Sequence, residues 1–318
     1  MDLNILSLPP EILAKIFSNI PWNKLINVKL AARDFNYVTE KYHKHMQKPK
    51  LYEIFFEDDR TGDDGIDRIK IIYSIYIAGG NGDNTDEKEF IFPSSELYQL
   101  HRFLQKVDLT SLNNVDNDFC NNTEVIRIFS GYFHNTNRIE TMCVAAGGSV
   151  KDLGNTLPLL EKIQKVRDLK LFFYFSHKSV PGDFIIPVRD SLEILEIIES
   201  KDTNIINPRM IKFIVENNPN LSKYLLKFDD FQTYKMVIGT IVKEELARRN
   251  NGCSHKSIVF YLDISNFEGI SELLSYFNSE ELPYNDADTI PDDYFLYLNE
   301  LECPVCGEFD KILIVESE

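Results

Sequence analysis

The residues best suited to chemistry in this sequence are cysteines. Cys303-Pro304-Val305-Cys306-Gly307 has the form of a metal knuckle, in which two nearby thiolates supply half of a tetrahedral zinc site. The sequence has no second Cys-x-x-Cys, so the other two ligands would have to be Cys253 and His255, with a single residue between them. That is tighter than the usual ligand spacing. The sequence therefore predicts no bound metal and no cofactor, with Cys303 and Cys306 the only candidates, read as two thiols in a turn ahead of a strand over 312–315. A redox pair is disfavoured, because no thioredoxin-type βαβ pattern surrounds it. Cys120 and Cys143 have no neighbours that mark a nucleophile, and burial as small apolar groups is the ordinary fate of such residues.

The remaining polar groups point away from catalysis. His43, His45, His101, His134, His177 and His255 form no H-E-x-x-H pair, and there is no G-x-S-x-G elbow or phosphate-binding loop. Glu57-Asp58-Asp59 and Asp63-Asp64 lack the glycine and terminal glutamate of a calcium loop, and read as a solvated loop. Gly79-Gly80-Asn81-Gly82-Asp83 reads as a turn between strands rather than a dinucleotide fingerprint. Asn121-Asn122-Thr123 matches a glycosylation acceptor, which is expected to stay unmodified because no secretory signal is evident. The expectation is a protein that is not an enzyme.

What the chain offers instead is apolar surface arranged on short helices. Pro9-Pro10 suits a helix start, where fixed φ helps and a missing N–H costs little. Ile12, Leu13, Ile16, Phe17 and Ile20 then recur at helical spacing, with Glu11 placed to favour the first turn. Pro21 interrupts this helix. A second follows Trp22 with Asn23 as the expected N-cap and carries Leu25, Ile26, Val28 and Leu30. A third runs through Phe35, Tyr37 and Val38 toward Tyr42. Ordering ~40 residues costs roughly 60 kcal/mol at about 1.5 kcal/mol each, and so small a core rarely leaves a comfortable surplus. Such a unit needs a neighbour to pack against.

The sequence Leu8-Pro9-x-Glu11-Ile12-Leu13-x-x-Ile16-Phe17-x-x-Ile20, followed by Leu25, Val28, Leu30, Arg33 and Phe35, resembles the F-box. The resemblance spans residues 8–38 and leaves the rest of the chain uncovered. It departs from the usual pattern at Lys24, where an acidic residue is common, at Ala32, and at Phe35, which replaces a tryptophan. A generic amphipathic helix pair is the plainer alternative. The resemblance implies a three-helix module over residues 1–48 that docks on the Skp adaptor of a Skp–cullin–F-box ubiquitin ligase. Leu8, Pro9, Ile12, Ile16, Leu25 and Val28 would be its adaptor-binding residues. It further implies a protein substrate captured by residues 49–318, in the style of the F-box families expanded in nematodes. The competing implication is a binding or scaffold protein that recruits the adaptor outside ubiquitin transfer.

Beyond residue 48 the pattern changes. Residues 51–56 and 69–77 are strand-like, and 89–92 follows the glycine-rich turn. From residue 94 helical and strand-like segments alternate. Helices are expected over 94–105, 123–133, 155–166, 208–215 and 231–248, and strands start near 107, 139, 169, 192, 221 and 257. Recurrence at roughly thirty residues suggests stacked helix–strand units of irregular leucine-rich-repeat type, with a plain α/β domain as the alternative. The expected fold class is α+β: a short N-terminal three-helix unit followed by an α/β, repeat-like domain.

Charge bounds the partners. The net −16 splits into +4 over residues 1–50, where eight Lys/Arg face four Asp/Glu, and −20 over the remainder. An acidic body repels phosphate backbones, so no nucleic-acid partner is expected. The asymmetry either serves solubility alone or lets a basic N-terminal unit meet an acidic partner. No apolar run approaches the ~20 residues of a membrane helix, so no membrane partner is expected. Five scattered cysteines suit a reducing compartment, which predicts the cytoplasm or nucleus.

Overall fold

The computed structural model describes residues 5–59, 66–76, 85–117, 123–148, 150–175, 178–179, 182–200, 203–250, 252–253, 256–265, 267, 269–282, 284, 287–290 and 297–315. The chain begins with three short helices, α1 (Pro10–Phe17), α2 (Trp22–Ala31) and α3 (Arg33–Lys41). Pro10 takes the first helical position of α1, as its fixed φ favours. Asn23 is not the cap of α2. Pro21, held at φ −52° and ψ 138°, ends the preceding segment, and its carbonyl accepts from the N–H groups of Lys24 and Leu25. The helix therefore begins two residues earlier than an Asn23 cap implies, at Trp22.

These helices enclose a core of their own, separate from that of the body. Leu13, Ala14, Phe17, Leu25, Val38 and Met46 are buried in it, and Leu8, Ile20, Val28, Phe35 and Tyr42 pack around it. The Phe17 and Phe35 rings meet edge to face at 5.1 Å. The Tyr42 hydroxyl donates to Glu11 at 2.8 Å, tying α3 back to α1. Trp22 instead packs, half-buried, against the core of the body.

Among the described residues, the body is built on a twelve-stranded sheet. β1 (Leu51–Asp59), β2 (Arg68–Tyr76) and β3 (Thr85–Pro93) form an antiparallel edge. Beyond β1 the strands β4 (Asn114–Asn117), β5 (Ile139–Gly148), β6 (Val166–Phe175), β8 (Ile194–Glu199), β10 (Lys223–Phe228), β11 (Val259–Asp263) and β14 (Phe309–Val315) follow in chain order, each parallel to its neighbour. β13 (Tyr297–Glu302) pairs antiparallel with β14, and β12 (Ala287–Ile290) pairs antiparallel with β13 to close the far edge. β7 (Lys178–Ser179) and β9 (Thr203–Asn204) pair separately. The connecting helices are α4 (Tyr98–Lys106), α5 (Glu124–Tyr132), α6 (Val150–Leu160), α7 (Pro208–Asn217), α8 (Phe231–Arg249) and α9 (Ile270–Phe277). Residues 182–193, between β6 and β8, form no helix and bury Phe184, Ile186 and Val188.

The parallel register aligns one residue per strand. Ile54, Val115, Met142, Leu169, Leu195, Tyr224, Phe260 and Ile312 form a buried row across eight strands. Two residues along, a second row runs through Phe56, Asn117, Val144, Leu171, Ile197, Leu226, Leu262 and Ile314. The two-residue period of a strand puts both rows on the face covered by the helices, where they share a core with Phe129, Ile211 and Val237. The turns leading into the strands use buried side-chain amides. Asn218 accepts from the N–H groups of Ser191 and Leu192 and donates to the Val188 and Ile214 carbonyls. Asn135 does the same for Gln164 and Lys165. Each amide satisfies backbone groups of the adjacent unit, which would otherwise be buried unpaired.

Several expectations shift. The expected strand at 107–109 is only a single bridge between Lys50 and Asp108, and the true strand is β4. α6 begins at residue 150 and carries Pro158 in its last turn, two residues before the helix ends at Leu160. Glu57, Asp58 and Asp59 are not in a loop but end β1, opposite Lys70, Ile69 and Arg68 of β2. Asp63-Asp64, the 79–83 turn, Cys120, Asn121, His177 and His255 lie outside the described residues. The fold is α+β, with three N-terminal helices ahead of an α/β body.

Candidate functional site

Two of the N-terminal helices carry more apolar surface than their small core uses. On α1, Leu13, Ala14 and Phe17 face inward, while Ile12 and Ile16, one turn apart, are 46% and 39% exposed. On α2, Leu25 faces inward at 6%, while Ile26 and Leu30, again one turn apart, are 61% and 80% exposed. Scattered exposed aliphatics are ordinary, but two outward pairs on helices this short exceed what a self-sufficient unit needs. Of the sequence-predicted contact residues, Pro9, Ile12 and Ile16 are exposed, while Leu8 and Val28 are half-buried against the small core. Leu25 holds the helices together and presents no docking surface as they stand. Ile26 and Leu30 were legible as part of a helical stripe, but which edge faces outward depends on where α3 lies.

A second surface is the face of the sheet opposite the helices. Phe55, Lys170, Glu196, Leu225 and Tyr261 stand half-buried along one register row of it. Lys170 pairs with Glu196 at 3.2 Å, and Lys227 with Asp263 at 2.9 Å. Burial pushes the Asp168 carboxyl above its usual range, and its Oδ1 has no hydrogen-bond partner among the described residues. Aromatic and aliphatic groups are thus interleaved with ion pairs on this face. A groove lined by Lys44, Met46, Leu104, Val107 and Tyr132 marks the seam between the helices and the body.

The third feature is the cysteine cluster. The Cys303–Gly307 turn joins β13 to β14, with Gly307 at φ +77° and its N–H donating to the Cys303 carbonyl at 2.9 Å. From the other side the chain leaves α8 through Gly252, at φ +128°, and delivers Cys253 to the same spot. Both glycines adopt backbone conformations that side chains resist. The Sγ atoms of Cys253, Cys303 and Cys306 all lie within 4.8 Å of one another. Burial opposes ionisation of Cys303, but the N–H groups of Val305 and Cys306, the Arg249 guanidinium and the Cys306 thiol outweigh it, bringing its pKa to about 7. Burial and the neighbouring thiol raise Cys253 to about 11. The sequence singled out the two knuckle cysteines and considered Cys253. What it lacked was the neighbour relation of β11 and β14, which brings a residue 50 positions earlier beside the knuckle.

Beneath the cluster lies a buried ion pair. The Arg249 guanidinium donates to both carboxylate oxygens of Asp310, at 2.6 and 3.0 Å, and to the Lys256 carbonyl at 3.1 Å. Asp310 also accepts from the Ile258 N–H and the Tyr284 hydroxyl. The end of α8, the start of β11 and the start of β14 are thereby locked together.

Comparison of the chain with protein-family models finds no matching model, and comparison with curated proteins finds no match. Among the described residues no helix is long and apolar enough to cross a membrane.

Proposed function

We propose that this chain is a substrate-recognition adaptor of a Skp–cullin–F-box ubiquitin ligase, with no chemistry of its own. The observation that carries the reading is the pair of outward apolar stripes, Ile12/Ile16 and Ile26/Leu30, on helices whose core is separate from that of the body. A partner that covers these four side chains would supply the burial the small unit lacks; at roughly 1.5–3 kcal/mol for each fully buried side chain, that is several kcal/mol. The net positive charge of residues 1–50 favours an acidic face on that partner. Docking uses Pro9, Ile12 and Ile16 directly, with Leu8, Leu25 and Val28 holding the helices in the docking arrangement.

The sheet is the complementary half of the proposal. Parallel strands in strict chain order, with aligned buried rows and helices on one side, support the reading of irregular leucine-rich-repeat-like units. Their open face, with Phe55, Tyr261 and the Lys170–Glu196 pair, captures the target protein, and the ligase acts in the cytoplasm or nucleus. Purification of the tagged chain with and without residues 1–48, read by mass spectrometry, tests this. The full chain is expected to bring down a Skp-type adaptor and a cullin, and the shortened chain to lose both while keeping its other partners. An adaptor recovered without a cullin would instead favour a scaffold outside ubiquitin transfer. Failure to recover the adaptor at all would overturn the proposal.

A further inference from the structure

We infer that Cys253, Cys303 and Cys306 bind a thiolate-preferring divalent metal, Zn2+ by its chemistry, and that this metal clamps the C-terminal edge of the sheet. The sequence alone argued against a metal, because the knuckle has no second Cys-x-x-Cys to complete it. The fold changes that judgement by bringing a third thiol to the knuckle from a different segment. Around tetrahedral zinc, Zn–S bonds of about 2.3 Å put neighbouring sulfurs about 3.8 Å apart. The three sulfurs here lie within 4.8 Å of one another, and Cys253 and Cys306 are 3.3 Å apart. That is far beyond the ~2.05 Å of a disulfide and close to the edge of a metal tetrahedron. Only small movements bring all three sulfurs to bonding distance from a common centre.

The surroundings are those of a ligand rather than of a buried thiol. Cys303 is fully buried, yet the N–H groups of Val305 and Cys306 are directed at its sulfur, and Arg249 donates to it as well. N–H donors that converge on sulfur stabilise the thiolate, the form that binds metal. Arg249 is fixed in turn by the buried Asp310, so the outer shell is itself anchored. Cys306 is exposed and Cys253 half-exposed, which leaves a path for the ion to enter. As each sulfur takes the metal, its thiol proton passes to solvent. Thiolate ligands and tetrahedral geometry select zinc over magnesium or calcium, which want oxygen. With water in the fourth tetrahedral position, the ion would join the segment after α8 to the β13–β14 turn, a structural role near the end of the sheet where a stacked array needs a cap.

The full chain, purified under reducing conditions and stripped with chelator, is titrated with Co2+ and then Zn2+. The wild type is expected to develop the visible bands of tetrahedral cobalt together with sulfur-to-cobalt charge transfer, both abolished by equimolar Zn2+. Elemental analysis should then find one zinc per chain retained through gel filtration. Cys306→Ser, at an exposed position, should keep the circular dichroism of the wild type while losing most of the cobalt signal, and Cys253→Ser/Cys306→Ser should lose all of it. Chelation should sensitise the β13–β14 segment to proteolysis and leave the N-terminal helices unaffected. Absence of tetrahedral cobalt bands in the folded wild type would overturn the inference. So would zinc content unchanged in the double variant, or a Cys253–Cys306 disulfide formed under the same reducing conditions.

Discussion

Glu199 offers a quantitative test of the sheet. It lies in register with Phe173 and Phe228 on the helix-covered face, 5% exposed, and its Oε1 accepts from the N–H groups of Ile205 and Ile206 at 2.7 and 3.3 Å. Burial outweighs these bonds and pushes its pKa from 4.5 up to about 7. Between those pH values the folded protein holds a proton that the unfolded chain has released. The stabilisation from protonated Glu199 is complete below 4.5 and is lost as pH rises through about 7. At about 1.4 kcal/mol per pH unit, the interval from 4.5 to about 7 amounts to about 3 kcal/mol. Glu199→Gln keeps the accepting oxygen and removes the ionisation. Urea unfolding of both proteins across this range should show equal stability at the acid end and a Gln variant about 2–3 kcal/mol more stable above neutrality, after allowance for imperfect amide pairing. Because other groups titrate alike in both proteins, the difference isolates Glu199. A difference that stays flat with pH would refute the reasoning.

Three further outcomes follow from the packing. Arg249→Met leaves the buried Asp310 carboxylate without its cationic partner and should cost about 3–5 kcal/mol in urea unfolding, whereas Arg249→Met with Asp310→Leu should cost much less. Leu25→Ala should cost the helical unit about 2–5 kcal/mol by opening a cavity, while Ile26→Ala, at an exposed position, should leave thermal melting unchanged. Residues 49–318 made alone should melt cooperatively, whereas residues 1–48 made alone should show little helical circular dichroism until the adaptor is added. A disordered body fragment would show that the division near Pro49 is misplaced.

Much of the architecture is legible from periodicity. The helices α1 to α8 and the strands β5, β6, β8, β10, β11 and β14 stand out because apolar residues recur at helical or alternating spacing, whereas α9 is not among the expected helices. β4 does not, because its residues Asn114, Asp116 and Asn117 read as a loop, and only alignment with β1 and β5 makes Val115 a core residue. β1 likewise runs into its acidic end because β2 offers Lys70 and Arg68 opposite, a neighbour relation that the local sequence does not contain. The apolar content of the candidate docking surface is written in the sequence, yet Leu25 and Ile26 are adjacent, equally apolar, and face opposite ways once α3 is placed. The cysteine cluster shows the same limit, since spacing along the chain says nothing about a contact made by sheet order. Asn135 and Asn218 are polar residues that a hydropathy reading puts at the surface, and their burial depends on backbone donors from a neighbouring unit, the following one for Asn135 and the preceding one for Asn218.

The adaptor-docking claim is tested most directly by calorimetric titration of the purified full chain with a purified Skp-type adaptor, comparing the wild type with Ile12→Asp/Ile16→Asp. Both side chains are exposed, so the variant should keep the wild-type melting temperature. Anchors at the centre of an interface commonly cost about 2 kcal/mol or more each, so loss of both should lower affinity by roughly a thousandfold. Saturable binding by the wild type with that loss in the variant is the predicted result. No binding by the wild type, or equal binding by both proteins, would contradict it.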